Sequence, residues 1–181
     1  MRHVYLAVVL VCGLVFSTTA SALQVPPEGV EFQVNTYTSS SQTTPAVCRD
    51  AAGNFVVVWR SYGQDGDGRG VFAQRFSSAG TPQGTEFQVN TYTPDDQQAP
   101  ELCCDAGGNF VVVWQSNTQD GDIRGVFGQR FSSAGTPQGT EFQVNTYTTD
   151  TQSTGAICCD ASGDFVVAWD SRSEDGGNYG V

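Results

Sequence analysis

The chain has 181 residues, with 19 acidic against 8 basic side chains and a net charge of −11; every basic residue is Arg. No basic patch is available to displace counterions, which excludes a nucleic-acid partner. The 39% hydrophobic and 11% aromatic content is enough to build a sizeable core at this length.

In chain order, the first element is a targeting segment. Arg2 and His3 give a short positive start, Val4 to Phe16 is apolar, and Ala20-Ser21-Ala22 supplies a small-x-small cleavage pattern. The apolar stretch is too short to span a bilayer, and no later segment is apolar enough to do so. The expectation is a signal peptide over 1–22 cleaved near Ala22, a linker over 23–30, and a secreted, extracellular mature chain. Cleavage removes Cys12 and His3, the sole histidine. Five cysteines remain (Cys48, Cys103, Cys104, Cys158 and Cys159), an odd number that no complete set of intrachain disulfides uses up.

From 31 to 181 the chain is a tandem repeat of 55 residues. Glu31 to Thr38 recurs at Glu86 to Thr93 and Glu141 to Thr148, and Trp59, Trp114 and Trp169 fall 55 residues apart. Arg75 to Thr93 is identical to Arg130 to Thr148. Such identity points to recent duplication, so sharing between units is no sign of a functional constraint. Each unit holds four expected strands. In the first unit they run Pro45 to Asp50, Phe55 to Arg60, Val71 to Phe76 and Glu86 to Tyr92, punctuated by Gly- and Pro-bearing turns.

Patterning separates these strands. Phe55-Val56-Val57-Val58-Trp59 is apolar on both faces and so is covered on both sides. Glu86 to Asn90 alternates and keeps one wet face. Small residues around Pro45 and Ala46 suit an inner strand where units converge. A unit of this length with this profile predicts an all-β, β-propeller-like tandem array of four-stranded antiparallel blades. A β-solenoid, the rival, uses shorter coils. About three blades are present, the last truncated, which makes an incomplete ring. The opening strand Glu31 to Tyr37 is a fourth strand by phase. It either closes a ring or belongs to a fragment of a longer protein with further repeats, and the fragment is the expectation.

The units Glu-Phe-Gln-Val-Asn-Thr, Gly-Asn-Phe-Val-Val-Val-Trp, Gln-Asp-Gly-Asp and Gly-Val-Phe-Gly-Gln-Arg-Phe resemble the tandem repeats of large secreted bacterial proteins. The resemblance covers nearly all of 31–181. It implies propeller-like blades, often accompanied elsewhere in such proteins by adhesion or calcium-binding modules, and it brings no defined activity.

The strongest chemical candidates are the loops Gln64 to Gly70 and Gln119 to Gly125. Asp65 and Asp67, and Asp120 and Asp122, flank a glycine and offer oxygens to Ca²⁺, although a third Asp and a distal bidentate Glu are lacking. The competing reading is a turn held by an Asp67–Arg69 ion pair. The equivalents of both residues are lost together in Glu174 to Gly180, and such an exposed pair is worth roughly 0–1 kcal/mol. Asp50, Asp105 and Asp160 open turns that look like the Asp-box of sialidase-like propellers, one residue longer between Asp and Gly; they are expected to be structural. Trp59, Trp114 and Trp169 are expected in the core, while Tyr37, Tyr92 and Tyr147 are the better stacking platforms for a ligand. The cysteine pairs suit a crowded inner strand as small apolar residues. Disulfides between neighbouring units, or vicinal ones, are the alternatives in an oxidising compartment.

The mature chain lacks the histidine a Ser or Cys nucleophile would use, and its carboxylates repeat per unit where a glycosidase needs an unlike pair. The expected function is therefore a non-catalytic extracellular module, a scaffold or an adhesion and recognition surface for an extracellular protein or glycan. The alternative is a calcium-stabilised propeller within a secreted carbohydrate-active or other hydrolytic protein.

Overall fold

The computed structural model describes residues 29–181 and the backbone of Tyr5–Leu6. Apart from Tyr5–Leu6 and residues 29–30, the signal and linker expected over 1–30 lie outside the described residues. Strands β1 (Tyr5–Leu6) and β2 (Phe32–Gln33) pair with each other. The first repeat sheet holds β3 (Gln42–Arg49), β4 (Phe55–Tyr62), β5 (Arg69–Phe76) and β6 (Phe87–Gln88). The second holds β7 (Gln97–Cys104), β8 (Phe110–Asn117), β9 (Arg124–Phe131) and β10 (Phe142–Gln143). The third holds β11 (Gln152–Cys159), β12 (Phe165–Arg172) and β13 (Tyr179–Gly180). The described residues are all-β, without helix, and form antiparallel meanders laid side by side in chain order.

The middle strands run longer than expected, β4 on to Tyr62 and β5 back to Arg69, and the first and fourth strands differ for local reasons. The first strand of the unit begins at Gln42 and not Pro45, because a β-bulge between Thr43 and Ala46 absorbs the proline, which has no N–H for the ladder. Thr44 takes a φ of 52° there, and Ala99 a φ of 50° before Pro100. The fourth strand shrinks from Glu86–Tyr92 to the two residues Phe87–Gln88. Beyond it the Asn90 side chain takes over the ladder, its Oδ1 accepting the Val71 N–H at 2.8 Å. A side-chain acceptor in place of a backbone carbonyl ends the strand early.

The middle strand decides the packing. Phe55, Val57 and Trp59 of β4 face one way and gather Phe32, Val34, Phe72 and Phe76. Val56 and Val58 face the other way, toward Leu102, Phe110, Val112 and Trp114 of the second sheet. Phe87 lies against Phe131 of the next sheet at 5.6 Å, as Phe32 does against Phe76 at 5.5 Å. Each last strand thus supplies an aromatic side chain to the sheet that follows. Among the described residues the third sheet has a neighbour on one side alone. Val166, Ala168 and Asp170 point to solvent, and Val166 is 68% exposed.

Strand β1 pairs with β2 through Leu6↔Phe32. That is the register β5 takes against β6 (Ala73↔Phe87) and β9 against β10 (Gly128↔Phe142). Residues of the expected signal segment therefore occupy the place of a third strand beside β2.

Candidate functional site: the joints between sheets

The chemistry-bearing side chains collect where one sheet meets the next. At one end of the stack, the turn after each first strand opens with Asp. Asp50 accepts the Asn54 N–H and its Nδ2, both at 2.8 Å. Asp105 accepts the N–H groups of Gly107 and Asn109 at 2.8 and 2.9 Å, and Asn109 Nδ2 at 2.7 Å. Asp160 accepts the Ser162 N–H and hydroxyl and the Asp164 N–H. The turns then join to each other, Ala51 N–H to Ala106 O at 3.3 Å and Ala106 N–H to Ala161 O at 3.2 Å. Gly108 sits so close to Asp50 that a Cβ there would lie 3.1 Å from its Oδ2, and its φ of 85° favours glycine independently.

Beside this ladder lie two equivalent clefts. The one between the first and second sheets, about 310 Å³, is lined by Asp50, Asn54, Arg75, Cys104 and Gly108. The one between the second and third, about 490 Å³, is lined by Asp105, Asn109, Arg130, Cys159 and Gly163. Arg75 crosses its joint and donates to the carbonyls of Gln83 and, on the next sheet, Ser133. Each cleft presents a single carboxylate, already engaged in its own turn. A polar binding groove can be made this way; the carboxylate pair of a glycoside hydrolase needs a second group within about 5–9.5 Å.

Asp105 is 8% exposed and makes three hydrogen bonds, so Asp105→Ala is expected to cost about 2 kcal/mol, read as a lower urea midpoint. Asp160 belongs to the same ladder, and bonds from the Ser162 hydroxyl and N–H hold its carboxyl below the usual range. Its stabilising contribution is present above the unfolded pKa and is lost as pH falls through the lower folded one.

The cysteines are paired between units. Cys48 bonds Cys104, and Cys103 bonds Cys159, with Cα separations of 5.6 and 5.5 Å. Cys158 is free and exposed. The small-apolar reading of these residues is therefore corrected. Adjacent first strands place the second cysteine of one pair opposite the first of the unit before, within bridging distance. Vicinal bonding does not occur, because neighbouring residues on a strand point to opposite faces.

At the other end lie the Asp-Gly loops. Asp65 and Asp67 share one turn, with Asp65 Oδ1 accepting the Asp67 N–H at 3.4 Å and Asp67 Oδ1 the Gly68 N–H at 2.8 Å. Asp67 Oδ2 accepts the Asp95 N–H of the next unit, and Asp122 Oδ2 the Asp150 N–H, at 3.2 and 2.8 Å. Arg69 pairs with Asp96 and not with Asp67, which corrects the expected local ion pair. Both residues reach across the joint to the loop at 94–96, so what they share is a joint. The carboxylate oxygens Asp65 Oδ2 and Asp120 Oδ2 are buried without a partner among the described residues. Burial pushes the Asp65 carboxyl above its ordinary range, against hydrogen bonds from backbone N–H groups. Among the described residues no group of three or more His, Cys, Asp or Glu is arranged to hold a metal. Most oxygens of the four candidate ligands face backbone N–H groups, short of the six to eight ligands Ca²⁺ takes.

Sequence reading missed the polar core of each joint. Asn90 Nδ2 donates to Tyr92 O at 2.9 Å and Gln97 Oε1 at 3.1 Å, while Gln97 Nε2 donates to Pro94 O at 2.8 Å. Asn145 and Gln152 repeat this arrangement. Glu86 likewise accepts from Thr36 and Gln64, and Glu141 from Thr91 and Gln119. The available signal was an Asn and a Gln seven residues apart in every unit. Tyr37, Tyr92 and Tyr147 are half-buried rather than open platforms, and the Tyr92 hydroxyl lies 3.2 Å from Thr118 Oγ1.

No protein-family model and no curated protein matches the chain. Among solved structures it is similar to an endo-arabinase from Bacteroides thetaiotaomicron, with 14% identity and a TM-score of 0.51. The match covers 86% of this chain and 59% of that one. The likeness is one of fold.

Proposed function

We propose that this chain is a non-catalytic extracellular scaffold or recognition module, in which three propeller-like blades form an open arc with further repeats of the same kind as partners. The observation that carries the reading is the pair of disulfides, Cys48–Cys104 and Cys103–Cys159, each tying one sheet to the next. Such bonds persist in oxidising compartments, which agrees with export after cleavage near Ala22. Staples between repeats suit a surface that must hold its spacing outside the cell. The charged and amide side chains at the joints also favour a structural role, since they are spent on turns and on the next unit.

The secreted chain, with its new N-terminus sequenced, is applied to a glycan array and incubated with arabinan, other polysaccharides and model esters, with and without millimolar Ca²⁺. The expected result is binding to an extracellular glycan or protein, no hydrolysis, and no change in melting temperature on adding Ca²⁺. Turnover of any substrate would overturn the non-catalytic reading. Turnover together with a calcium-dependent rise in melting temperature would establish the calcium-stabilised hydrolase instead.

A further inference from the structure

We infer that the outer side of the third sheet is a directional acceptor for another unit of this same repeat, one carrying a cysteine at the second position of its pair, and that Cys158 forms the next disulfide of the ladder. The inference rests on the reading that further repeats of the same kind are this chain's partners; it concerns assembly and does not depend on what the array recognises.

Three separate features of the two existing joints are present on that side without their counterparts. The first is covalent. In each joint the first cysteine position of a unit bonds the second position of the unit after it, Cys48 to Cys104 and then Cys103 to Cys159. Cys158 is the first position of the third unit and is free and exposed. The second is apolar. Val56 and Val58 of β4, and Val111 and Val113 of β8, are 0–6% exposed beneath the following sheet, whereas Val166 at the same place on β12 is 68% exposed. The third is the backbone ladder: Ala51 and Ala106 each donate an N–H to the next turn, and Ala161 stands where the next donation would come from.

The direction follows from one substitution. The second position of the first unit is Arg49, which accepts no disulfide from behind. The second positions of the other two units, Cys104 and Cys159, are already engaged. A second copy of these three units therefore has no cysteine to offer Cys158 in the ladder geometry. The occupant is a further unit of the repeat with its own free second cysteine.

Bond formation needs an oxidant, and an external disulfide such as oxidised glutathione supplies it. The Cys158 thiolate attacks that disulfide and expels one glutathione thiolate. The partner cysteine, deprotonated, then attacks the Cys158 sulfur and expels the second. Two thiols are oxidised to one disulfide, and the glutathione disulfide is reduced to two thiols.

The test begins with the secreted chain after signal cleavage, which removes Cys12, and native alkylation and peptide mapping are expected to find one reactive thiol at Cys158. The chain is then extended after Val181 by a copy of residues 127–181, which completes the third sheet and adds a fourth unit. Folded with oxidised and reduced glutathione, the extended chain is expected to keep a single free thiol, now on the added copy of Cys158, with Cys158 linked to the added copy of Cys159. In a control extension, that copy of Cys159 is replaced by Arg, as at Arg49. Cys158 then stays reduced, and its alkylation by a bulky maleimide slows about tenfold because the new sheet covers it. Cys158 alkylated at an unchanged rate in both extended chains, a vicinal Cys158–Cys159 bond, or a dimer linked through Cys158 in place of the ladder bond would overturn the inference. A circular dichroism spectrum matching the parent's β signal shows that the extensions are folded.

Discussion

Replacing Cys48 and Cys104 together by Ser is expected to lower stability by about 4 kcal/mol, the chain-entropy figure for a closed loop of this size. The two cysteines are 56 residues apart in sequence, so the bond removes much of the freedom of the unfolded chain. The paired substitution matters, because a lone Cys48→Ser leaves the Cys104 thiol free to exchange with Cys103 or Cys158. Urea unfolding followed by tryptophan fluorescence measures the change. A midpoint indistinguishable from the parent's would mean that the bond does not form in the folded protein. Reduction of the parent breaks Cys103–Cys159 as well and is expected to cost more than either pair of substitutions, though the two losses need not add, since both bonds end on β7.

Trp114→Ala is expected to cost about 3–5 kcal/mol, while Trp169→Ala costs about 1–2 kcal/mol, although the two residues are equivalent in sequence. Trp114 is 0% exposed in the core shared by the first two sheets, whereas Trp169 is half-buried in a sheet whose third strand is two residues long. Trp114→Phe sharpens the comparison. The indole Nε1 of Trp114 is buried without an acceptor among the described residues, an arrangement that itself costs about 1–3 kcal/mol. Phenylalanine removes the orphaned donor and keeps most of the ring, so the loss should stay below about 1.5 kcal/mol. Thermal unfolding of the three variants separates the outcomes. Equal losses for Trp114→Ala and Trp169→Ala would mean that Trp169 is as fully buried in solution as Trp114.

The side-by-side sheets were legible in the sequence because their cause is local and periodic. A strand such as Phe55 to Trp59, apolar on both faces, has to be covered twice, and a 55-residue period supplies a cover on each side. The joints were less legible. Arg69 and Asp67 lie two residues apart and lose their equivalents together, which reads as a pair, yet each bonds to the loop at 94–96 of the next unit. Their contacts run between units, where one-dimensional spacing carries no signal.

From the amino-acid order alone come the repeat period, the all-β meander and the buried strands that carry Trp59 and Trp114, since alternation and turn chemistry act over a few residues; β12 with Trp169, expected in the core, is only half-buried. Tertiary structure decided which cysteines meet, that Asn90 and Asn145 finish their sheets with a side chain, and that the Asp-Gly loops turn their oxygens toward the neighbouring backbone. Those outcomes depend on how far one sheet is displaced from the next, a distance set by packed side chains from two units at once.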